Sequence, residues 1–401
     1  MPVHNRGPLV TFAGLGINLA LGVLYTWSMF KVAIGKEFGW KVEQLNDPYA
    51  LCCLVFAFAM ILAGRCQDKL GPRVTASIGG LLVGAGLVLI STTTHYDMWL
   101  LGFGVLVGVG IAFGYSSATP PALKWFPPAK TGLIVGLVVA GFGLAPVYLA
   151  PTSDYLLRNF GLLKSMLIFG IAFTVIICGL AQLLLNPPAG YVAATKAANP
   201  NPAAAVNFTP SEILRQPKFW LLWVIYFIGA GAGLMVISSV SGMAKKTMGE
   251  QAFIAVAVMA IGNAGGRIIA GILSDKIGRR WTLMLVLLIQ AALMFIAIPV
   301  TASTDGAKFI IVLVATLIGF NYGANLSLFP SFAKDLWGLK NFGMNYGVLF
   351  TAWGVGGFAL SSLAQRLKAD SGNFNSSFIT AGVLLLVGAG LTLCLRPGKI
   401  R

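Results

Sequence analysis

One charge lies inside a long apolar run of this sequence. It is Arg267, in the stretch Ala260-Ile-Gly-Asn263-Ala-Gly-Gly-Arg267-Ile-Ile-Ala-Gly271. An arginine held in hydrocarbon costs about 2.5–3.5 kcal/mol on insertion scales, so such a group faces a cavity or a partner. All twelve acidic residues fall in predicted loops or at predicted helix ends. Asn263 precedes Arg267 by one helical turn and Gly271 follows by one, so neither neighbour is a counter-ion. The chemistry this implies is anion binding. A guanidinium presents a planar fork that suits both oxygens of a carboxylate. A single fixed cation matches a monoanion, because a dianion would keep one uncompensated buried charge.

Polar aromatics are available to complete such a site. Tyr25 follows Leu-Gly-Val-Leu, Tyr115 lies in Phe-Gly-Tyr-Ser-Ser, and Tyr322 lies in Phe-Asn-Tyr-Gly-Ala-Asn325. Each has small neighbours that let a ligand approach. A small hydroxy-acid or keto-acid needs a few hydroxyl or amide donors and an apolar wall. Arg267, Asn263, Tyr25, Tyr115, Tyr322 and Asn325 are therefore the candidate ligand contacts, with Phe350 and Trp353 as candidate walls. No nucleophile–base set is recognisable. The five cysteines lack metal-ligand spacing and read as small apolar residues. His4 and His95 lie outside the predicted spans. No enzyme activity, metal or cofactor is expected.

Such a site has to be held by membrane helices. The chain has 401 residues, 57% hydrophobic and 10% charged, with mean hydropathy +0.84. Soluble domains carry roughly 25% charged residues, so the lipid bilayer is the expected solvent. Runs long enough to span, ~20 residues each, recur twelve times. The first six are predicted at Leu9–Phe30, Tyr49–Gly64, Val74–Thr93, Met98–Leu123, Thr131–Ala150 and Gly161–Leu185. The second six are predicted at Phe219–Val240, Ala252–Leu273, Trp281–Thr301, Phe309–Phe332, Gly343–Leu363 and Asn375–Leu395. The first run is too long for a signal peptide and lacks a small-residue cleavage site.

The net charge of +16 does not point to nucleic acid, because it sorts by membrane side. With an inside N-terminus, 17 of the 28 lysines and arginines fall on inside segments and 10 on outside ones. This positive-inside bias places both termini in the cytoplasm and the protein in the plasma (inner) membrane as a multi-pass chain.

The Pro- and Ala-rich stretch 186–218 reads as a cytoplasmic linker between bundles 1–185 and 219–401. A repeat supports that division. Gly64, Asp68, Lys69, Gly71 and Arg73 recur as Gly271, Asp275, Lys276, Gly278 and Arg280, at a constant offset of 207. A weaker echo pairs Gly132 and Gly136 with Gly343 and Gly347. The motif reads as a loop whose glycines turn tightly. Its aspartate is placed to meet basic groups or a helix N-terminus, as a latch that forms in one state and breaks in another. The fold class is therefore an all-α membrane protein, with twelve transmembrane helices in two pseudo-symmetric six-helix bundles.

The repeated motif resembles the loop signature of the major facilitator superfamily, and the likeness covers the whole chain. Within it, the chain is most similar to the oxalate/formate antiporter and monocarboxylate transporter branch. The segments that carry this are Arg267-Ile-Ile-Ala-Gly271 running into Ser274–Arg279, Lys124-Trp-Phe-Pro127 with Gly132, Leu328-Phe-Pro330 and Asn345-Tyr-Gly347. The resemblance implies two halves rocking about a midplane site, with Arg267 on the substrate carboxylate and Tyr25, Tyr115 and Tyr322 in the cavity. The chain departs from the branch at three places. Oxalate carriers have a lysine where Trp353 stands, and animal monocarboxylate carriers have a lysine at Met29 and an aspartate at Asn263. The losses argue against a dicarboxylate and take away the familiar proton site. The chain looks most like a bacterial lactate/proton symporter.

The expected function is thus transport of a small monocarboxylate anion, with a proton, by a monomer. The alternatives are anion exchange of the oxalate/formate kind and a non-transporting membrane sensor. A channel is disfavoured by the twofold repeat and the lack of a charge ring.

Overall fold

The computed structural model describes the chain except residues 1–4, 42–43, 189, 192–206, 249–251, 303–307, 372–373 and 396–401. Side chains of 236–248, 252–256, 301–302, 308, 311 and 368–371 are also outside the description. The Pro- and Ala-rich core of the predicted linker, Glu250, Asp305 and the last three basic residues therefore lie outside the described residues.

Twelve long helices account for the apolar runs. They are α1 (Gly7–Glu37), α2 (Gln44–Leu70), α3 (Pro72–Ile90), α4 (Tyr96–Lys124), α5 (131–160), α6 (162–181), α7 (Pro217–Met248), α8 (Ala252–Ile277), α9 (Arg279–Ala302), α10 (Lys308–Trp337), α11 (Phe342–Ser371) and α12 (Asn375–Thr392). By length and hydropathy eleven candidate spans exist among the described residues. One of them holds both α5 and α6, which meet at Gly161, where φ is +74°. Only glycine takes that conformation cheaply, so the chain reverses there without a loop. A gap of ten residues between the fifth and sixth spans was expected; the structure makes that stretch helical.

Most helices overrun the predicted ends, whereas α3, α6 and α12 stop three or four residues short of their predicted C-terminal ends. Where they run on, their polar tips continue the i→i−4 hydrogen bonding past the apolar run, so the backbone of each span is paired up to its ends. Regular α geometry is left within two of these helices, and a third carries two prolines. A 3-10 turn occupies Gly22–Thr26 of α1, a π stretch occupies Leu100–Val107 of α4, and α5 contains Pro146 and Pro151. Side chains such as Leu62, Leu81, Val175, Ile269 and Phe309 stay more than half exposed, and they form the lipid face. The interior is closed by aromatic and small residues, as expected where helix association depends on packing rather than on water.

The repeated motif is not the loop it was expected to be. Gly64–Leu70 and Gly271–Ile277 are the last turns of α2 and α8. Only Gly71 (φ +84°) and Gly278 (φ +91°) make turns. Gly64 and Gly271 serve close approach instead. A Cβ on Gly64 would collide with the Gly343 carbonyl of α11, and one on Gly271 with the Gly132 carbonyl of α5. The first and second six helices therefore meet along two seams, α2 against α11 and α5 against α8.

Candidate functional site

Each seam is closed at one end by a carboxylate. Asp68 at the end of α2 accepts the backbone N–H groups of Gly343 (3.0 Å) and Met344 (2.9 Å), which begin α11. Asp275 at the end of α8 accepts those of Gly132 (2.8 Å) and Leu133 (2.9 Å), which begin α5. The first turn of a helix presents unpaired N–H groups and a partial positive charge, so a carboxylate fits it. We call this the motif end. Around Asp275 the charges extend further. Arg279 bonds Asp275 at 2.7 Å and Asp335 at 3.0 Å, and Lys334 meets Asp335 at 3.3 Å and the Thr131 hydroxyl at 2.9 Å. Lys69, Arg73 and Lys276 take no part in these bonds. Arg280 donates to the Thr392 and Leu393 carbonyls that end α12.

Higher on the α5–α8 seam, Arg267 is fully buried. Its Nε donates to Asn263 Oδ1 at 3.0 Å. Its Nη1 crosses the seam and donates to the Val139 carbonyl of α5 at 2.5 Å. Its Nη2 is buried and makes no hydrogen bond. Glycines permit this approach: a Cβ on Gly136 would strike the Arg267 carbonyl, and one on Gly143 would stand 3.3 Å from Arg267 Nε. The site thus offers a buried positive charge with which no carboxylate pairs among the described residues.

Tyrosines from four other helices surround the charge. The Tyr25 and Tyr322 hydroxyls share a 3.1 Å hydrogen bond across the halves, and Trp353 Nε1 donates to Tyr322 at 2.9 Å. Tyr25 stands on the 3-10 turn of α1, which Gly22 presses against Ala145 of α5. The charge of Arg267 acts on the hydroxyls of Tyr25, Tyr115, Tyr226 and Tyr322. Phe350 stacks on Trp353 with centroids 5.0 Å apart and lies 5.6 Å from Tyr115. Phe56 and Phe142 fill the rest of this wall.

Of the candidate contacts read from sequence, Arg267, Asn263, Tyr25, Tyr115, Tyr322, Trp353 and Phe350 form one buried cluster. Asn325 does not bond to this group. Its Nδ2 donates to the Asn321 carbonyl, and its Oδ1 faces Gly229 of α7. Four lining aromatics went unread: Phe56, Phe142, Tyr226 and Tyr346. Nothing in their local sequence separates them from ordinary packing, except that Tyr346 sits beside Asn345 and Gly347 in a recognised segment.

Two helical halves, a buried unpaired cation between them and paired carboxylate latches describe a membrane transporter that works between two halves. The sequence profile of the Major Facilitator Superfamily matches residues 10–361 and 255–400, and the chain belongs to that superfamily. An uncharacterized MFS-type transporter of Escherichia coli K12, YhjX, is 32% identical, over 88% of this chain and 86% of that one. The oxalate:formate antiporter of Oxalobacter formigenes is 27% identical, over 98% of this chain and 92% of its own length. Monocarboxylate transporter 13 of Rattus norvegicus is 26% identical, over 94% and 86%. Among solved structures, the superfamily transporter FucP in its outward conformation aligns with a TM-score of 0.73 over 98% of this chain and 99% of its own, at 16% identity. That likeness speaks for the fold.

Proposed function

We propose that the protein carries short monocarboxylates such as lactate and pyruvate across the plasma membrane, together with a proton, by alternating access. The observation that carries the reading is Arg267 Nη2, a buried donor on a full positive charge with no partner. A carboxylate bound there would neutralise the charge and take hydroxyl bonds from the tyrosines. The single cation favours a monoanion. Relatives named as an oxalate:formate antiporter and as monocarboxylate transporters support carboxylate cargo. Sequence charge bias supports a cytoplasmic motif end, with residues 186–218 as the linker between bundles. In this reading the motif end is closed here, and substrate arrives from the opposite side to a carrier acting as a monomer.

The decisive experiment is uptake of labelled lactate into proteoliposomes under an imposed pH gradient, an imposed voltage, or neither. One proton with one monoanion is electroneutral, so the pH gradient should drive uptake and voltage should not. Uptake that follows voltage and ignores pH removes proton symport.

One observation favours exchange as a second reading. The bond from Arg267 to the Val139 carbonyl joins the halves, so reorientation with no anion to replace that carbonyl must break it. Lactate on the far side should then accelerate labelled uptake well beyond the net proton-driven rate. Equal rates would leave exchange without support.

A further inference from the structure

A cavity of about 430 Å³ lies apart from the central site, at the motif end of the second bundle. It is enclosed where α7 and α9 begin and where α10 and α12 end. Its rim carries Trp281 and Ile277, both nearly half exposed. Three cations line it, Lys218, Arg279 and Arg280, against one carboxylate, Asp335. Arg279 is held by Asp275 and Asp335, and Asp335 by Arg279 and Lys334. Lys218 and Arg280 pair with no carboxylate among the described residues. Arg280 is nevertheless fixed in place. It donates to the Thr392 and Leu393 carbonyls, and its guanidinium lies 4.9 Å from the centroid of the Trp281 ring.

The rest of the wall is apolar, with Phe332 and Leu395 buried and Leu336 half-buried. From the rim, Trp281, Leu285, Leu288 and Ile289 run along α9 as one exposed stripe at helical spacing. A matching ligand therefore has an anionic head for Lys218 and Arg280, and an apolar body that continues down the stripe. A free inorganic anion would use the cations alone. A phospholipid uses both parts, and basic pockets between membrane helices suit anionic headgroups. Trp281 stands where indole rings gather, at the level of those headgroups.

We propose that this cavity binds an anionic phospholipid, its phosphate on Lys218 and Arg280 and its acyl chains along the exposed stripe of α9. The site is independent of what the central cavity carries. The test reconstitutes the full-length protein in vesicles of phosphatidylcholine and phosphatidylglycerol at one fixed ratio, with brominated chains on one lipid or the other. Bromine quenches a neighbouring indole, and subtracting the signal of Trp281→Phe isolates Trp281. That residue should report a preference of about tenfold for phosphatidylglycerol, the order expected of two interfacial cations.

Lys218→Glu and, separately, Arg280→Gln should each bring the preference within about twofold of none. Lys218 carries no ion pair among the described residues, so its variant tests the site even where Arg280→Gln folds poorly. Lys69→Gln removes a charge from the same end of the other bundle and should leave the parental preference. Equal quenching by both brominated lipids in the parent overturns the site, as does a preference unchanged in Lys218→Glu. An equal loss in Lys69→Gln would reduce the effect to general surface charge and also overturn it. Millimolar inorganic phosphate should leave the preference intact. If phosphate abolishes it, the cavity takes the free anion and the lipid assignment falls.

Discussion

The two seams have one backbone plan and opposite chemistry. Gly132, Gly136 and Gly143 of α5 approach Gly271, Arg267 and Asn263 of α8, as Gly343, Gly347 and Gly354 of α11 approach Gly64, Met60 and Ala57 of α2. The offset of 207 that relates Asp68 to Asp275 also relates Met60 to Arg267 and Phe56 to Asn263. Where one seam has Arg267 bonded to Asn263 and to the Val139 carbonyl, the other has Phe56 against Phe350, with centroids 5.0 Å apart. The latches differ in the same direction. Asp275 is tied into Arg279 and Asp335, whereas Asp68 accepts backbone groups and makes no ion pair among the described residues. A duplicated framework has thus kept the geometry of approach in both places and put a buried arginine in one. The polar seam carries a buried cation, and at the same level the aromatic seam carries stacked rings.

The comparison breaks most sharply at the charge itself. Arg267→Gln should lower lactate affinity at least a hundredfold, about 3 kcal/mol, as expected for one partner of a buried charge-assisted bond. Insertion and folded yield should be unaffected, and Arg267→Lys should also fail, because a point charge loses the two-oxygen fork. Lactate binding of parental strength in Arg267→Gln would remove Arg267 from the site. Next comes an attempt to make the seams alike. Met60→Arg copies the cation onto α2, and Trp353→Lys does so from α11. Either should let oxalate compete with labelled lactate at least tenfold better than in the parent, once folded yield is checked. Unchanged competition would mean that neither position faces the bound anion.

The latches should differ by less. Asp→Asn at either place removes the charge and one acceptor from a helix N-terminus, about 1–3 kcal/mol. At Asp275 it also removes one of the two carboxylates that hold Arg279. Spin labels at Lys69 and Lys276, both exposed on opposite halves, should report more of the separated distance in Asp275→Asn than in Asp68→Asn. Equal shifts would show that the ion pairs around Arg279 add nothing to closure.

Much of this was legible before any coordinates. Arg267 stood out because a lone charge in an apolar run is costly, and the two aspartates stood out because the repeat is long. The echo of Gly132 and Gly136 in Gly343 and Gly347 marked the receiving helices, although not that each aspartate reaches across to the other half. Tyr226 and Tyr346 were illegible, because an aromatic among apolar residues is the default in a membrane helix. Burial without a hydrogen bond is a property of three dimensions. The same holds for Val139, whose part is played by a carbonyl oxygen. Gly64 and Gly271 were misread as turn residues because glycine serves turns and close packing equally, and only φ tells them apart.

The finest test of the asymmetry adds a single methyl group to each seam. A Cβ on Gly354 would collide with the Cβ of Ala57, two packed carbons with no free direction to move. Gly354→Ala should therefore part α11 from α2 and reduce folded yield. A Cβ on Gly143 would stand 3.2 Å from Asn263 Oδ1 and 3.3 Å from both Ala264 N and Arg267 Nε. The two side-chain ends can give way by a few tenths of an ångström at the expense of the Asn263–Arg267 bond, and the Ala264 backbone by a small shift of α8. Loss of part of one such bond is worth about 0.5–1.5 kcal/mol, or roughly two- to tenfold in affinity. Gly143→Ala should accordingly fold at the parental yield and bind lactate a few times more weakly. Its net uptake should move closer to its exchange rate, since a displaced guanidinium also holds the Val139 carbonyl less firmly. Weaker binding with an unchanged ratio of exchange to net uptake would separate the two roles of Arg267, leaving it as a substrate ligand and removing it as a tie between the halves.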